Sequence, residues 1–536
     1  MLRMPDLLHL EPRLSCDREN LSDILDLAFL GKDTGNRIDR ALSVVHDGDG
    51  GWDPSLFADD LFVRNLIRET LTIVLDGVRY SVNEDYLFSV LTRPPRDLET
   101  IRFRQEILRE LAGDGELRGK AEGLYKSLAA LLVSFKVPDH VARLDINAHR
   151  LELLRQARAV LDAMVTDFGT ARSGLRRLHE AGIEIRASEE YRVMASLLDY
   201  EESFLSLNVN LGLGPEGRVR RLTIERIAES TGNRFYTAPW KRLLARIRLF
   251  FWNGVLLSNR EIVNRLLHEV FRQVSPSLVT LFEVICHLEL YLTALELRRA
   301  ARERGLEVSL ADFDPRRPLR VRRAFNPLLF RQPRPPVPAD VERAGTIGAT
   351  VITGPNSGGK TRLLQTLGLC QVLGQSGLWV PAAEARLPLI EGLFVSLVES
   401  ETSDQAEGRL GREMLRIRGL FEGVTSPAMV ILDELCSGTN PSEGTEMFSL
   451  VLRLLERLGT VAFISTHFLD YAQTLAEAPP IPGLEFLQVE IDDAQRSTYQ
   501  FLPGVAETSL AAVTAERLGV TFDQLSELIE HRRACA

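Results

Sequence analysis

The residues with the clearest chemistry lie in Val351-Ile-Thr-Gly-Pro-Asn-Ser-Gly-Gly-Lys-Thr361. Gly354, four residues, then Gly359-Lys360-Thr361 is the spacing of a phosphate-binding loop. Its glycines let backbone N–H groups turn toward an anion with no Cβ in the way. Gly354, Pro355, Asn356, Ser357, Gly358, Gly359, Lys360 and Thr361 are therefore the expected phosphate cradle. Lys360 supplies a point charge for β- and γ-phosphates, and Thr361 supplies a hydroxyl for Mg²⁺. A helix starting there would aim its positive end at the same phosphates.

Two further stretches complete the chemistry. Ala428-Met-Val-Ile-Leu-Asp-Glu434 is an apolar run ending in two acids. Asp433 is expected to hold Mg²⁺, and Glu434 to orient and polarise the attacking water. Ser437-Gly-Thr-Asn-Pro-Ser-Glu-Gly444 follows at once, and a loop beside such acids commonly faces the nucleotide of a partner subunit. Thr460-Val-Ala-Phe-Ile-Ser-Thr-His467 is another apolar run with His467 at its carboxyl end. Ligands of open parallel sheets sit at that edge, so His467 is the expected γ-phosphate sensor.

Positioning these residues requires strands before each cluster and a helix after the first. Thr350–Thr353 reads as a buried strand and 362–375 as a helix. From about residue 316 strand and helix patterns alternate, as in an α/β nucleotide-binding domain. Before that the chain reads as mostly helical. Leu21–Leu30 and Leu98–Leu111 have helical apolar spacing, and Leu151, Leu154, Ala157, Val160, Leu161 and Met164 share one face. Phe204–Leu211 and Arg218–Ile224 flank a glycine-rich turn, a hairpin signal inside the helical part. Residues 261–305 read as one long helix. Proline- and arginine-rich connectors follow at 312–318 and 331–338.

The chain has 536 residues, enough for two to four domains, and 45% are hydrophobic and 26% charged. A net charge of −10 gives no global attraction to nucleic acid, so any such contact must be local. Between Arg218 and Arg248 nine basic residues face two acidic ones, interleaved with Phe235, Tyr236 and Trp240. Arg218, Arg220, Arg221, Lys241 and Arg242 are the candidate backbone contacts; a solvated face whose arginine stems cover apolar surface fits the composition equally well. Five scattered cysteines without Cys-x-x-Cys argue for a reducing cytoplasm and against a zinc site. Asp47–Gly51 lacks the closing glutamate of a calcium loop. Residues 1–9 have no apolar signal core, and 275–297, the longest apolar run, carries Glu283, His287 and Glu289, as a buried helix would.

Taken together, "ITGPNSGGKT", "ILDELCSGTNPSEG" and "ISTHF" resemble the MutS family of ABC-type ATPases. "FNPLLF" (325–330) resembles the family's lead into the ATPase domain, with Asn326 where histidine is usual. "YQFLPGVAETSLAAVTAERLGV" resembles its closing segment, and "LTRPPRDLETIRFRQEILREL" the start of its core and lever helices. The resemblance implies a mixed fold, a mostly α-helical core and lever followed by an α/β P-loop ATPase domain. The divisions are 1–150, 151–315 with the hairpin, and 316–536. It implies ATP and Mg²⁺ as ligands, Tyr499 against the adenine, and a homodimer with head-to-tail ATPase domains. It also implies a nucleotide-gated clamp on duplex or branched DNA, in the cytoplasm and off the membrane.

Departures qualify this. The family's trans-acting signature has serine and phenylalanine before a glutamate; here Gly408 and Leu410 precede Glu413. Arg409 and Arg412 are the candidate replacements for the missing hydroxyl as anion contacts. The chain is expected to open in the helical core, without a mismatch-reading wedge domain, and to lack a nuclease-type tail after residue 536. Branched or looped DNA is therefore the expected target. An RNA- or ribosome-associated ATPase, or an ATP-binding scaffold with little hydrolysis, are the alternatives.

Overall fold

The computed structural model describes residues 5–13, 17–43, 52–136, 146–203, 206–213, 219–228, 253–397, 409–436, 440–507 and 520–535. The fold is mixed, with a helical unit and an α/β unit. One compact unit comprises residues 1–46 and 106–292, the other 47–105 and 293–536. Residues 47–105, read from sequence with the helical core, thus pack with the sheet-containing unit. The unit boundaries fall elsewhere than the expected divisions at 150 and 315.

The first unit is built from the helices Arg18–Phe29, Arg37–Ser43, Gly115–Phe135, Ile146–Asp167, Arg176–Ala187 and Glu189–Ser203, with the first forty residues of Asn253–Glu303. Asp17 and Asp114 cap two of them by accepting from Asn20 N and from Glu116 and Leu117 N, satisfying otherwise orphaned donors. The face predicted on Ile146–Asp167 is buried at Leu154, Ala157, Val160, Leu161 and Met164. Phe29 stacks on Phe271 with ring centroids 3.9 Å apart. Among the described residues one helix, Leu267–Glu303, is long and apolar enough to cross a membrane, yet 94% of its apolar window is buried. One of its acids is engaged there: Tyr125 Oη donates to Glu289 Oε1 at 3.3 Å. The hairpin is present, Ser206–Leu213 pairing antiparallel with Val219–Ala228.

The second unit is organised on a six-stranded sheet. Its elements in chain order are β1 (Gly348–Thr353), α1 (Lys360–Gln375), β2 (Gly392–Ser396), α2 (Arg409–Gly423), β3 (Ala428–Leu432), α3 (Pro441–Leu458), β4 (Val461–Ser465), α4 (Leu469–Glu477), β5 (Glu485–Ile491) and β6 (Ser497–Pro503). The spatial order is β2-β3-β4-β1-β5-β6. All neighbours are parallel except β5 and β6. β1, β3 and β4 are buried at every position, as strands covered on both faces must be, which is why they read as continuous apolar runs. Phe394, Val430, Phe448, Leu452 and Ile464 centre the core on one side of the sheet.

Residues 52–105 support this sheet. Trp52 Nε1 donates to Ile390 O at 3.3 Å, and Leu61 lies against Gly368 of α1, where a Cβ would sit 2.6 Å from its methyl. Arg104 Nη1 donates to Ser376 O and Gln105 Nε2 to Ala311 O. A three-stranded antiparallel sheet (384–386, 320–324, 339–342) completes the unit.

Candidate nucleotide site

β1 lies between β4 and β5, so the sheet's order reverses beside it, and a cleft opens at such a reversal. The register sets Ser465 beside Ile352 and Ile464 beside Leu432. Three adjacent strands therefore end together, and the loops leaving them meet. They carry 354–361, Asp433 with Glu434, and Thr466 with His467.

The loop from β1 needs its glycines. Gly354 has φ +137°, and a Cβ there would lie 2.7 Å from Val489 Cγ2. Gly359, at φ +94°, is the N-cap of α1. The exposed Asn356 and Ser357 form the crown, with Ser357 itself left-handed at φ +66°. Lys360 is 5% exposed. Its Nζ donates to Gly354 O at 2.9 Å and Pro355 O at 3.1 Å, curling beneath the loop. Burial pushes its pKa down, and Glu434 and Asp433 nearby pull it partly back up.

Thr361 Oγ1 donates to Asp433 Oδ2 at 2.5 Å. The other carboxylate oxygen, Oδ1, accepts from Ser465 Oγ, and Ser465 Oγ accepts from Glu434 N at 2.8 Å. A hydroxyl and a carboxylate oxygen thus converge at the end of α1, a donor set that suits a hard cation such as Mg²⁺. Ser465 ties the two acids to the neighbouring strand. Sequence reasoning passed it over; a serine ending an apolar strand in register with Asp433 is the signal. His467 is exposed, its ring 4.4 Å from that of Phe468.

Beside Gly359 opens a cavity of about 650 Å³ lined by Phe325, Asn326, Leu329, Arg362, Tyr499 and Phe501 among others. Tyr499 is 47% exposed and has φ +60°. Its Cδ1 would lie 3.2 Å from a Cβ on Gly359, and its N–H donates to Ser497 Oγ, which donates to Gly358 O. Asn326 caps the short helix Pro327–Arg331 and donates through Nδ2 to Gln365 Oε1 at 2.7 Å. Arg362 Nη1 donates to the same oxygen at 2.8 Å. Phe325, Leu329 and Phe501 give the cavity apolar walls, and Asn326 and Arg362 add polar groups, the composition of a small-molecule pocket.

Of the residues expected from sequence, the structure brings together 354–361, Asp433, Glu434 and Tyr499, with His467 on the next strand end. Among the proposed nucleic-acid contacts, Arg220 and Arg221 lie on the strand Val219–Ala228. Arg218, Lys241 and Arg242 lie outside the described residues, as do Asp47–Gly51, Ser437–Thr439, Gly408 and the side chains of Leu410, Arg409 and Arg412.

Comparison with known proteins bears on the same stretch. The MutS domain V family matches residues 350–527. Endonuclease MutS2 of Thermomicrobium roseum is 28% identical over 411 residues, 73% of this chain and 50% of that protein. Endonuclease MutS2 of Caldanaerobacter subterraneus is 27% identical over 283 residues, 52% of this chain and 34% of the relative. The protein of the same name from Alkaliphilus metalliredigens is 36% identical over 186 residues, 34% and 23% of the two chains. The chain thus spans half or less of the length of these relatives. The match to MutS domain V lies over the site just described, and relatives named MutS2 match on both sides of residue 316, so the chain is similar to MutS proteins through its α/β part and into its helical part.

Proposed function

We propose that the chain is a DNA-binding ATPase in which ATP with Mg²⁺ occupies the cradle at the end of β1. The observation that carries this is the meeting of Thr361 and Asp433 at 2.5 Å beneath a loop that needs Gly354 and Gly359. The backbone N–H groups of 354–361 and the N-terminus of α1 receive the phosphates. Lys360 exchanges its two carbonyl partners for β- and γ-phosphate oxygens. Thr361 and Asp433 hold Mg²⁺, which when bound neutralises charge on the transferring phosphoryl group. Glu434 orients a water in line with the γ-phosphate and takes its proton; His467 contacts the γ-phosphate from the next strand. Tyr499 and the apolar cavity take the base.

The hairpin and the basic segment around it supply the nucleic-acid contacts in this reading, through Arg218, Arg220, Arg221, Lys241 and Arg242. The relatives' name, an endonuclease, speaks for action on nucleic acid. Two copies pairing head to tail would gate a clamp on duplex or branched DNA by nucleotide state. Glu434→Gln tests the hydrolytic part: turnover falls about 10²-fold while ATP binding persists. Equal turnover in the two proteins contradicts it and leaves an ATP-binding scaffold. In the same preparations DNA affinity falls with salt, at a log–log slope of about −0.9 per phosphate contacted. Replacing Arg220, Arg221 and Lys241 by alanine flattens that slope, and an unchanged slope contradicts the placement.

A further inference from the structure

Glu434 stands in a turn that ordinary residues resist. It has φ +50° and Cys436 φ +61°, both left-handed, where a side chain crowds its own backbone. Two contacts keep the turn in place. Ser465 Oγ accepts from Glu434 N. From the other side, Glu413 Oε1 accepts from Cys436 N. A carboxylate on a peptide N–H is a charge-assisted hydrogen bond, stronger than its neutral counterpart.

Glu413 is on α2, and α2 is itself clamped one turn later. The Arg416 guanidinium pairs with Asp60 and donates to Val395 O at 2.8 Å. Asp60, 6% exposed, accepts from Leu397 N at 2.7 Å. A continuous polar path therefore runs from Asp60 through Arg416 and α2 to the peptide two residues past Glu434. The sequence resemblance set Glu413 in a signature that acts on a partner's nucleotide; here it grips its own chain.

We infer that Glu413 is a positioning residue for Glu434: its carboxylate holds the left-handed turn that aims Glu434 at the attacking water. The inference rests on the hydrolytic role proposed for Glu434. Displacing a catalytic group by about 1 Å can cost about 10²-fold in rate. Glutamine in place of Glu413 keeps an oxygen that accepts the same N–H; alanine does not. Cys436 reports on the turn independently. Its thiol is buried and pushed up to about 12, by burial first and by Glu413 beside it, so it is unreactive while the turn is closed.

The experiment compares the full chain with Glu413→Ala and Glu413→Gln. Steady-state ATP turnover, ATP binding, thermal unfolding and the nucleotide-free alkylation rate of Cys436, read by peptide mass, are measured. In Glu413→Ala kcat falls about 10- to 100-fold with KM within about threefold, and Cys436 reacts about tenfold faster. Glu413→Gln stays within about threefold of the parent on every readout. Parent-like turnover in Glu413→Ala overturns the inference. So does a parallel loss of ATP binding and thermal stability, which marks a merely structural role, or failure of Glu413→Gln to rescue. Absence of turnover in the parent sinks the hydrolytic reading instead; Cys436 reactivity unchanged by Glu413→Ala then removes the positioning contact as well.

Discussion

Lys360 is held where a cation is disfavoured. It is 5% exposed, and its ammonium is satisfied by two carbonyls of its own loop. Burial lowers its pKa, and the two acids offset only part of that. A folded pKa below the unfolded value means that the charged lysine costs the empty fold stability at neutral pH. That cost fades as pH rises through the lowered pKa toward 10.5, the ordinary value. Phosphate binding needs the charged form. ATP affinity is therefore expected to weaken with rising pH from a point below 10.5, by up to tenfold per pH unit once the lysine is neutral in the empty protein. Titrations from pH 7 to 10.5 check this, and an affinity flat across that range contradicts it. The glycine-rich loop before α1 was legible in the sequence because glycine, lysine and threonine stand at fixed local spacing. Ser465 and Glu413 were not legible as partners of the turn. Their roles depend on which strand lies beside which, and on a helix some twenty residues away folding back.

At the scale of elements, the start of β1 carries more than its sequence suggests. Gly348 has φ +121°, and a Cβ there would lie 2.3 Å from Gly483 O. The buried Arg343 closes this junction, donating to Gly348 O at 2.8 Å and Gly483 O at 3.0 Å, with Glu485 3.5 Å away. Burial lowers its pKa and Glu485 opposes that. Removing the guanidinium strands three groups at the foot of the strand that leads into the loop. Arg343→Ala is expected to cost about 3–5 kcal/mol in denaturant unfolding. Arg343→Lys is expected to recover little, because one ammonium cannot copy the planar fork. A loss below about 1 kcal/mol contradicts the assignment. The strands β1, β3 and β4 and the helix after the loop were readable from apolar runs ending in polar chemistry. The hairpin was readable from alternation around a glycine-rich turn. Arg343 gave no signal, since a lone arginine beside a glycine-containing loop is ordinary surface composition.

At the scale of the whole molecule, sequence patterning identified a helical part and an α/β part but misjudged which residues belong to each. Residues 52–105 carry helices around the short hairpin Ile73–Leu75 with Val78–Tyr80 and precede the long helices, so local pattern joins them to the helical unit. Their partners are Ile390, Gly368, Ser376 and Ala311, more than two hundred residues away. Only tertiary packing reveals such contacts. The cavity beside Gly359 was not legible from local pattern, because its walls come from 324–339, 359–366 and 499–501; only the resemblance singled out Tyr499, one of its lining residues. The proposal common to these levels is one ligand at the meeting of three strand ends. Equilibrium titration of ATP with Mg²⁺ into the full chain and into Lys360→Ala is the most direct test. The parent is expected to bind saturably and the variant about 10- to 100-fold more weakly, the loss of a charged hydrogen-bond donor to phosphate. Equal binding by the two proteins, or none by the parent, contradicts the account.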